Sequence, residues 1–406
     1  MRPLFLICAL FALLTSPSAA QVSLPRVGVP DVGGVLDQVD DTLDRSTREI
    51  ERQVEKLARD RLRRINRLVR RNSDVIELDA SGAPARRGEL LVMDASAEAL
   101  ERANQDGFTV LSRENIEGLD LAVIRLGVPE GMSLSDAEMR LRGILPGAEI
   151  SADNLHFQSG NASVATLALS ASSTSSAGAP VGMIDGAPSS AVKVSEMRGF
   201  AKGAPYPSNH GSAVASLLAY AGAGPIRVAD VYGTDKAGGN ALAMAKGLGW
   251  LVAKGSKVVT ISLVGPRNAV LGRAIAAAQR KGVVVVAAVG NDGPASPPSY
   301  PASYKGVVAV TAVDGKRRAL IEAGRALHLD YAAPGADIYG RNAKGRRIEL
   351  RGTSFATPLV AARASQAIAR GNDWRGVLDG EAIDLGRKGH DETFGRGLVC
   401  ASCTGR

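Results

Sequence analysis

The sequence is poor in long apolar runs, in cysteine and in aromatic residues. Of its 406 residues, 4% are aromatic, three are cysteine and four are histidine. Beyond residue 20, no stretch approaches the roughly 20 apolar residues that a membrane-spanning helix needs, so we expect no transmembrane anchor in the mature chain. No stripe of aromatic and basic residues is present, which argues against a nucleic-acid partner. The composition is typical of an α/β protein rich in Ala, Val and Gly.

The first 20 residues, MRPLFLICALFALLTSPSAA, have the features of an export signal. A basic residue precedes a short apolar run, and the small residues Ser18 and Ala20 suit a cleavage site. We therefore predict a signal peptide at 1–20 and export of the protein to the periplasm or to the extracellular space.

Removal of this segment takes Cys8 with it and leaves Cys400 and Cys403, in a C-terminal tail at 400–406. Two ligands without neighbouring His or Cys residues cannot complete a tetrahedral metal shell. In an oxidising compartment the spacing therefore favours a local disulfide, with free thiols as the alternative.

The two halves of the chain carry opposite net charges. Residues 21–178 contain 19 Lys and Arg against 25 Asp and Glu, whereas residues 179–406 contain 29 against 16. A basic half is typical of nucleic-acid binding, but attraction between two parts of one chain explains the division as well.

Residues 21–87 are dominated by a helical pattern. Between 36 and 71, apolar residues recur at helical or near-heptad spacing. The segment is acidic early and rich in arginine late, which suits the helix dipole. The pattern predicts an amphipathic helix that packs one stripe on its own protein. A coiled-coil partner and an acidic membrane surface are the alternatives.

Residues 88–157 predict a small α+β domain of its own. Strand and helix patterns follow one another in the order β-α-β-β-α-β, which is the ferredoxin-like arrangement. The next segment, 158–179, is rich in Ser, Ala and Gly and carries no charge. We expect it to be an exposed linker that is open to proteolytic nicking.

From residue 180 to 399, apolar strands alternate with amphipathic helices. The strands are expected at VGMID, IRVADVYG, KVVTISLV, VVVVAAVG and VVAVTAV. This alternation predicts a parallel sheet with helices on both faces, a three-layer α/β domain. In such sheets the functional groups collect beyond the carboxyl ends of the strands.

Four polar residues stand at such positions, and each has an ordinary structural explanation. Asp185 ends the first strand at an Asp-Gly turn, and Asn291 follows the fourth strand in a turn sequence. His210 opens a helix, where a lone histidine is more often structural than catalytic. Thr353 or Ser354 is suited to cap the apolar helix that follows them. Joint coincidence of all four on one sheet is much harder to accept than any one of these explanations.

Together, the segments VGMIDGAP, NHGSAVASLLA, AAVGNDGP and GTSFATPLVAA resemble the Asp, His, oxyanion-Asn and Ser blocks of the subtilisin-like serine proteases. The segments SLVG, SYPASYKGVVAVTAV, APGADIYG and FGRGLV agree with the same family. The resemblance covers about residues 180–399, and GTSFATP is its most specific segment. It implies a subtilisin-like peptidase domain.

The resemblance implies a serine endopeptidase that acts on extended polypeptides. Ser354 would attack the scissile carbonyl, His210 would take and return its proton, and Asp185 would orient the imidazole and stabilise its cation.

The resemblance also implies an oxyanion site and a substrate strand. Asn291 and the backbone N–H of Ser354 would stabilise the oxyanion. Pro358 is expected in the first helical turn, where its missing N–H is not needed. An extended substrate would pair, by strand addition, with Ser262, Leu263 and Val264.

In this family a domain like 88–157 often assists folding and then inhibits the site until it is cut. The opposite charges of the two halves agree with such docking, and we expect self-processing within about 158–179. No cofactor is required for the chemistry and no metal-ligand cluster is expected. A structural calcium ion is left open.

Two other functions are weighed against the protease. A catalytically inactive binding protein with the subtilisin fold is the alternative, and the intact set of four polar residues argues against it. A lipase or esterase would have Gly-x-Ser-x-Gly and the chain order Ser, acid, His. Here the order is Asp, His, Ser.

Overall fold

A computed structural model describes residues 32–158, 161–163 and 178–403. The predicted signal peptide and most of the predicted linker lie outside these ranges. Contacts divide the chain into Met1–Glu51 and Arg52–Arg406. In the first unit, the described part is the start of helix α1 (Val32–Arg71). All packing described below belongs to the second unit.

The second half of α1 packs one stripe against its own chain. Ile65 is buried and Val54, Leu57 and Leu68 are partly buried, at the spacing of one helix face. Leu68 and Val69, near the end of the helix, pack against a small cluster that includes Leu155 and Ala237. For this half of the helix, the predicted packing on its own protein is what the structure has.

A five-stranded antiparallel sheet follows. Its strands are β1 (Ile76–Leu78), β2 (Pro84–Met93), β3 (Thr109–Ile116), β4 (Leu121–Gly127) and β5 (Glu149–Asn154). Its helices are α2 (Ala97–Gln105) and α3 (Leu134–Ile144), capped by the side chains of Ser96 and Ser133. Strand β2 pairs with β1, β4 and β5, and β4 also pairs with β3.

Two very short strands come next, β6 (Phe157–Gln158) and β7 (Asn161–Ser163). The later strands are β8 (Val181–Asp185), β9 (Glu196–Gly199), β10 (Ile226–Asp230), β11 (Val258–Ile261), β12 (Leu263–Val264), β13 (Val284–Ala288), β14 (Val308–Val313), β15 (Tyr331–Pro334), β16 (Ile338–Arg341) and β17 (Arg347–Arg351). The later helices are α4 (Asn209–Tyr220), α5 (Ala241–Ala253), α6 (Ala269–Arg280), α7 (Thr353–Ala369) and α8 (Trp374–Glu381).

Seven of these strands form one parallel sheet, in the order β15-β14-β13-β11-β8-β10-β9. Apart from the edge strand β9, which has no buried residue, the strands are rich in Val and Ala and nearly all of their residues are buried, as expected for a sheet covered on both faces. Residues of α4 and α7 join the core on one face, and residues of α5 and α6 join the core on the other. The predicted three-layer α/β architecture is confirmed.

The structure differs from the sequence prediction at two segments near the sheet edge. KVVTISLV was expected to be one strand, but it splits after Ile261 into β11 of the large sheet and β12, which pairs with β6 instead. Part of the expected linker, Asn161–Ser163, forms β7 and pairs with β17. Both changes come from partners that are distant in sequence. At the other end of the domain, Cys400 and Cys403 form a disulfide.

The antiparallel sheet packs on the large domain through close backbone contacts. One face of this sheet covers α2 and α3, and the other joins the core around α5 and α6. In α5, a Cβ atom at Gly249 would meet the carbonyl oxygen of Glu117 and lie 2.7 Å from Cγ2 of Ile116. The loop after β3 therefore approaches α5 as closely as it does because Gly249 has no side chain.

We predict that Gly249→Ala lowers the thermal unfolding midpoint. Its methyl group must push the antiparallel sheet off α5, and overpacking of this kind costs about 1–3 kcal/mol. Gly143→Ala is the matched control, because Gly143 is a helical glycine of α3 with open space around its Cβ position. It should stabilise the chain by about 0.5–1 kcal/mol. Equal effects of the two changes would contradict the packing argument.

Two buried titratable groups, His156 and Asp153, make the stability of this region depend on pH. His156, between β5 and β6, is fully buried with Nδ1 3.3 Å from the carbonyl oxygen of Asn154. Burial lowers the pKa of His156 to about 4. Burial also raises the pKa of Asp153 to about 7, although its carboxylate accepts the N–H of Leu242 at the start of α5. The two groups therefore respond to acid in opposite directions.

We predict that His156→Gln reduces the loss of stability in acid. An unfolded histidine takes up its proton near pH 6.5, whereas the folded one resists until about pH 4. The stability associated with neutral His156 is thus complete above about pH 6.5 and is lost as the pH falls toward 4, by up to roughly 3 kcal/mol. Unfolding midpoints of both proteins, each in a Ser354→Ala background, should diverge over this window. Parallel curves from pH 7.5 to 4 would contradict the assignment; the contribution of Asp153 cancels in the comparison.

Candidate active site

Two strands of the large sheet end in a fully buried aspartate, but the two carboxylates have different partners. Asp230, at the end of β10, accepts backbone N–H groups of Tyr206, Tyr232 and Gly233, and so it stabilises a turn. Asp185, at the end of neighbouring β8, accepts the N–H of Gly186 at 2.7 Å and also a histidine ring. Asp185 is therefore the strand-end acid that is available to a side chain.

His210 is the second residue of α4, whose N-terminus is capped by the hydroxyl of Ser208. Its ring is 7% exposed, and Nδ1 donates to Oδ2 of Asp185 at 2.8 Å, with Oδ1 at 3.0 Å. This bond fixes the tautomer in which Nε2 is a hydrogen-bond acceptor. Nε2 is buried and has no hydrogen-bond partner among the described residues.

Ser354 is fully buried as the second residue of α7. The N-cap of that helix is Gly352, which has φ +142° and makes no side-chain cap. The interpretation of Thr353 or Ser354 as the cap is therefore wrong. The ring of Phe355 lies 5.5 Å from that of His210, so the start of α7 meets the start of α4.

Ser354 and Ser262 are joined by reciprocal hydrogen bonds. The hydroxyl of Ser354 donates to the carbonyl oxygen of Ser262 at 3.0 Å, and the hydroxyl of Ser262 donates to the carbonyl oxygen of Ser354 at 2.8 Å. Helical geometry would offer the Ser354 carbonyl to residue 358, which is proline and has no N–H. Pro358 thus lies beyond the first turn, contrary to expectation, and Ser262 supplies the missing donor.

Asn291 lies three residues after β13 and beside the start of α7. Its Oδ1 accepts the backbone N–H of Thr353 at 3.0 Å. Its Nδ2 is buried without a hydrogen-bond partner in the described part of the chain. Because Thr353 occupies the oxygen, the amide presents an unused donor beside Ser354. Buried polar atoms without partners are rare and call for an explanation.

The chain itself approaches Ser354 from two sides. Strand β6 pairs antiparallel with β12, with Gln158 opposite Leu263 and Phe157 opposite Val264. The side chain of Gln158 donates to Oδ1 of Asp185 at 3.1 Å. On the other side, β7 pairs with β17, with Asn161 opposite Arg351, three residues before the serine.

The structure brings together every residue that the sequence marked. Asp185, His210, Asn291 and Ser354 lie at one edge of the large sheet, Ser262 bonds to Ser354, and Leu263 and Val264 form the strand that pairs with an extended segment. Sequence reasoning missed the backbone of Thr353, which orients Asn291, and the side chain of Gln158. No pattern in the neighbouring sequence indicates either contact.

The charge of Asp185 also acts on a neighbouring tyrosine. Tyr232 donates its hydroxyl to the carbonyl oxygen of His156, and its pKa is raised well above the usual value, first by burial and then by the charges of Asp185 and Asp230.

Among the described residues, no three His, Cys, Asp or Glu side chains gather as a metal site. No helix in the described ranges has both the length and the apolar character to cross a bilayer.

Comparison with known proteins gives relatives of one kind. A sequence profile of the subtilase family matches residues 187–397, just over half of the chain, beginning two residues after Asp185. Subtilisin BL from Lederbergia lenta is 34% identical over 47% of this chain and 71% of that protein. Subtilisin DY from Bacillus licheniformis is 32% identical over 39% of this chain and 60% of that protein.

Among solved structures, fervidolysin from Fervidobacterium pennivorans, a keratinolytic enzyme related to subtilisin, has a TM-score of 0.64 at 17% identity. The likeness covers 82% of this chain and 63% of fervidolysin, and it shows the fold. The chain thus spans less than two thirds of both fervidolysin and subtilisin DY. The matching profile, together with the identity to subtilisin BL over 71% of that protein, establishes that the chain belongs to the subtilase family.

Proposed function

We propose that the protein is a serine endopeptidase whose catalytic residues are Asp185, His210 and Ser354. The observation that carries the proposal is the pair of buried, unpartnered atoms beside Ser354, Nε2 of His210 and Nδ2 of Asn291. One is an acceptor and the other is a donor. They are the two groups that acyl transfer needs, a base for the hydroxyl proton and a donor for the oxyanion.

The reaction begins when the Ser354 hydroxyl turns from the Ser262 carbonyl to Nε2 of His210. As the serine oxygen attacks the scissile carbonyl carbon, its proton passes to Nε2, and Asp185 stabilises the imidazolium through Nδ1. Nδ2 of Asn291 donates to the oxyanion. The tetrahedral intermediate collapses to an acyl-enzyme as His210 gives its proton to the leaving amine. Water then attacks the acyl-enzyme through the same steps and releases the carboxylic acid product.

The substrate is an extended polypeptide, and the chain supplies the first one itself. Strand β6 occupies the pairing edge of β12 and β7 occupies the edge of β17, so Phe157–Gln158 and Asn161–Ser163 occupy two edges that an extended substrate would use near Ser354. We place the self-processing cut between Gln158 and Asn161. Residues 88–157 would then act as an inhibitory prodomain, held in place by β6.

We also propose that the enzyme works outside the cytoplasm, in the periplasm or the extracellular space. The support is the signal pattern at residues 1–20. The disulfide between Cys400 and Cys403 agrees with an oxidising compartment. The N-terminus of the exported precursor should begin near residue 21.

Ser354→Ala should abolish self-cleavage and labelling by a fluorophosphonate probe, because it removes the nucleophile. Ser189→Ala is the control. Ser189 is also buried, follows Asp185 on the same loop and has a hydroxyl without a partner among the described residues, but its backbone N–H donates to the hydroxyl of Ser212 in α4 and none of its hydrogen bonds involves α7 in the described part of the chain. Intact mass and N-terminal sequencing after incubation should show the cut in wild type and in the control. If wild type is neither cut nor labelled, the inactive binding protein becomes the better interpretation.

Asn291→Ala should lower kcat for peptide hydrolysis by about 10²- to 10³-fold, the loss caused by removal of such a donor from subtilisin. KM should change little, since the donor acts on charge that develops in the transition state. Steady-state kinetics on the self-cleaved enzyme test this. The control is Asn268→Ala, because Asn268 is a buried asparagine that caps α6 outside the site. A change in KM at constant kcat would contradict the oxyanion role.

A further inference from the structure

The second half of α1 contacts the loop that carries Asn291. Arg61 and Arg64, three residues apart on one helix face, both pair with Asp292, at 3.2 Å and 2.5 Å. Leu57, one turn earlier, lies against Gly293: a Cβ atom added to that glycine would be 3.1 Å from Cδ1 of Leu57. About two turns of helix therefore cover the two residues that follow the proposed oxyanion donor.

The loop under the helix suits a basic partner. The carboxylate of Asp292 is 23% exposed, with both of its oxygens directed to α1 arginines. Gly293 has φ +84° and donates its N–H to the carbonyl oxygen of Glu322, whose side chain pairs with Arg351 at the end of β17. This acidic spot lies in the basic half of the chain, opposite the arginine-rich end of a helix from the acidic half.

The same helix also reaches the segment in the substrate path. Leu68 and Val69 belong to the small cluster that includes Leu155 and the partly buried Phe157 of β6. From Leu57 to Leu68 the helix rises about 16 Å. Residues 57–69 thus bridge two features of the site, the Asn291 loop at one end and the inhibitory strand at the other.

We infer that residues 52–71 are a second inhibitory element, which holds the N-terminal fragment over the active site after self-cleavage. The inference rests on the proposed function. Strand β6 has only two residues on β12, so it offers few hydrogen bonds once the chain is cut. The helix adds two ion pairs and an apolar contact directly on the oxyanion loop, and any substrate in trans must displace it.

The ionic part of this contact makes release sensitive to salt, in addition to the ion pairs that join the antiparallel sheet to the large domain. Arg64 is 54% exposed and Arg61 is 28% exposed, so ions reach the pairs. The Debye length falls from about 10 Å at 0.1 M to about 3 Å at 1 M salt. The period during which the cut enzyme stays inactive toward substrates in trans should therefore shorten as ionic strength rises. The rate of the first cut should not change.

The test compares the full chain with two double variants of α1. Arg61→Glu with Arg64→Glu reverses the charges that face Asp292. Arg63→Glu with Arg67→Glu makes the same change on exposed positions of the same helix. Each protein is allowed to cut itself, and intact mass gives the rate of the cut. Size-exclusion chromatography at 0.05 M and 0.5 M salt then gives the fraction of N-terminal fragment that stays bound. A quenched peptide with residues 155–164 measures activity in trans.

The expected result is self-cleavage at similar rates in all three proteins. The Arg61/Arg64 variant should release the fragment. Its activity on the peptide in trans should be on the order of tenfold higher than that of wild type and of the control variant. Wild type should approach it at high salt. Equal retention and latency in both variants, or no salt effect in wild type, would overturn the inference and leave the proposed function intact.

Two further outcomes distinguish a failure of the proposed function from a failure of the inhibitory role of the helix. If wild type does not cut itself, the proposed function fails and the inhibitory role fails with it. If the Arg61/Arg64 variant does not fold, the salt dependence of wild type against the Arg63/Arg67 variant decides: salt-insensitive retention in both would overturn the role of the helix.

Discussion

The reciprocal hydrogen bonds between Ser262 and Ser354 hold the functional edge of this structure together. They join the strand that receives an extended chain to the helix that carries the serine. Because Pro358 cannot donate an N–H, the carbonyl of Ser354 is left for the Ser262 hydroxyl. Because Ser262 is held this way, the chain leaves the parallel sheet after Ile261 and presents Leu263 and Val264 at an open edge. The positions of the proposed nucleophile and of the proposed substrate strand are therefore linked by one contact.

Thr353, at the start of α7, fixes the loop that carries Asn291. Thr353 uses its backbone N–H to hold the oxygen of Asn291, and its hydroxyl bonds to the backbone of Gly290. These bonds pin the loop after β13 to the helix start, so that the amide nitrogen of Asn291 has a fixed direction. A donor fixed in advance costs no reorganisation when charge develops. From outside, α1 contacts the same loop at Asp292 and Gly293.

The large sheet and the four polar positions could be predicted because their signals are local. A strand such as VGMID is apolar over its whole length, and its terminal aspartate can only lie at the exit of a buried strand. The break in KVVTISLV could not be predicted in this way, since the apolar run is continuous and the bond that ends it comes from Ser354, 92 residues later. Strand β7 has no strand-like composition and exists because β17 offers an edge. The role of Pro358 was misjudged because the helix begins at Thr353, one turn earlier than the proline requires.

The unpartnered atoms of the site carry a cost that the surrounding fold has to offset. A buried polar atom without a hydrogen bond costs about 1–3 kcal/mol, and two of them, on His210 and Asn291, lie beside one serine. His210 is held at the start of a largely buried helix, and Asn291 is held in a loop that is hydrogen-bonded to the start of another. Relaxation that would satisfy them is therefore blocked by packing. In the proposed mechanism a reacting peptide would satisfy both at once, because its oxyanion would accept from Asn291 while the serine proton goes to His210. In this sense the folded chain would be complementary to a transition state.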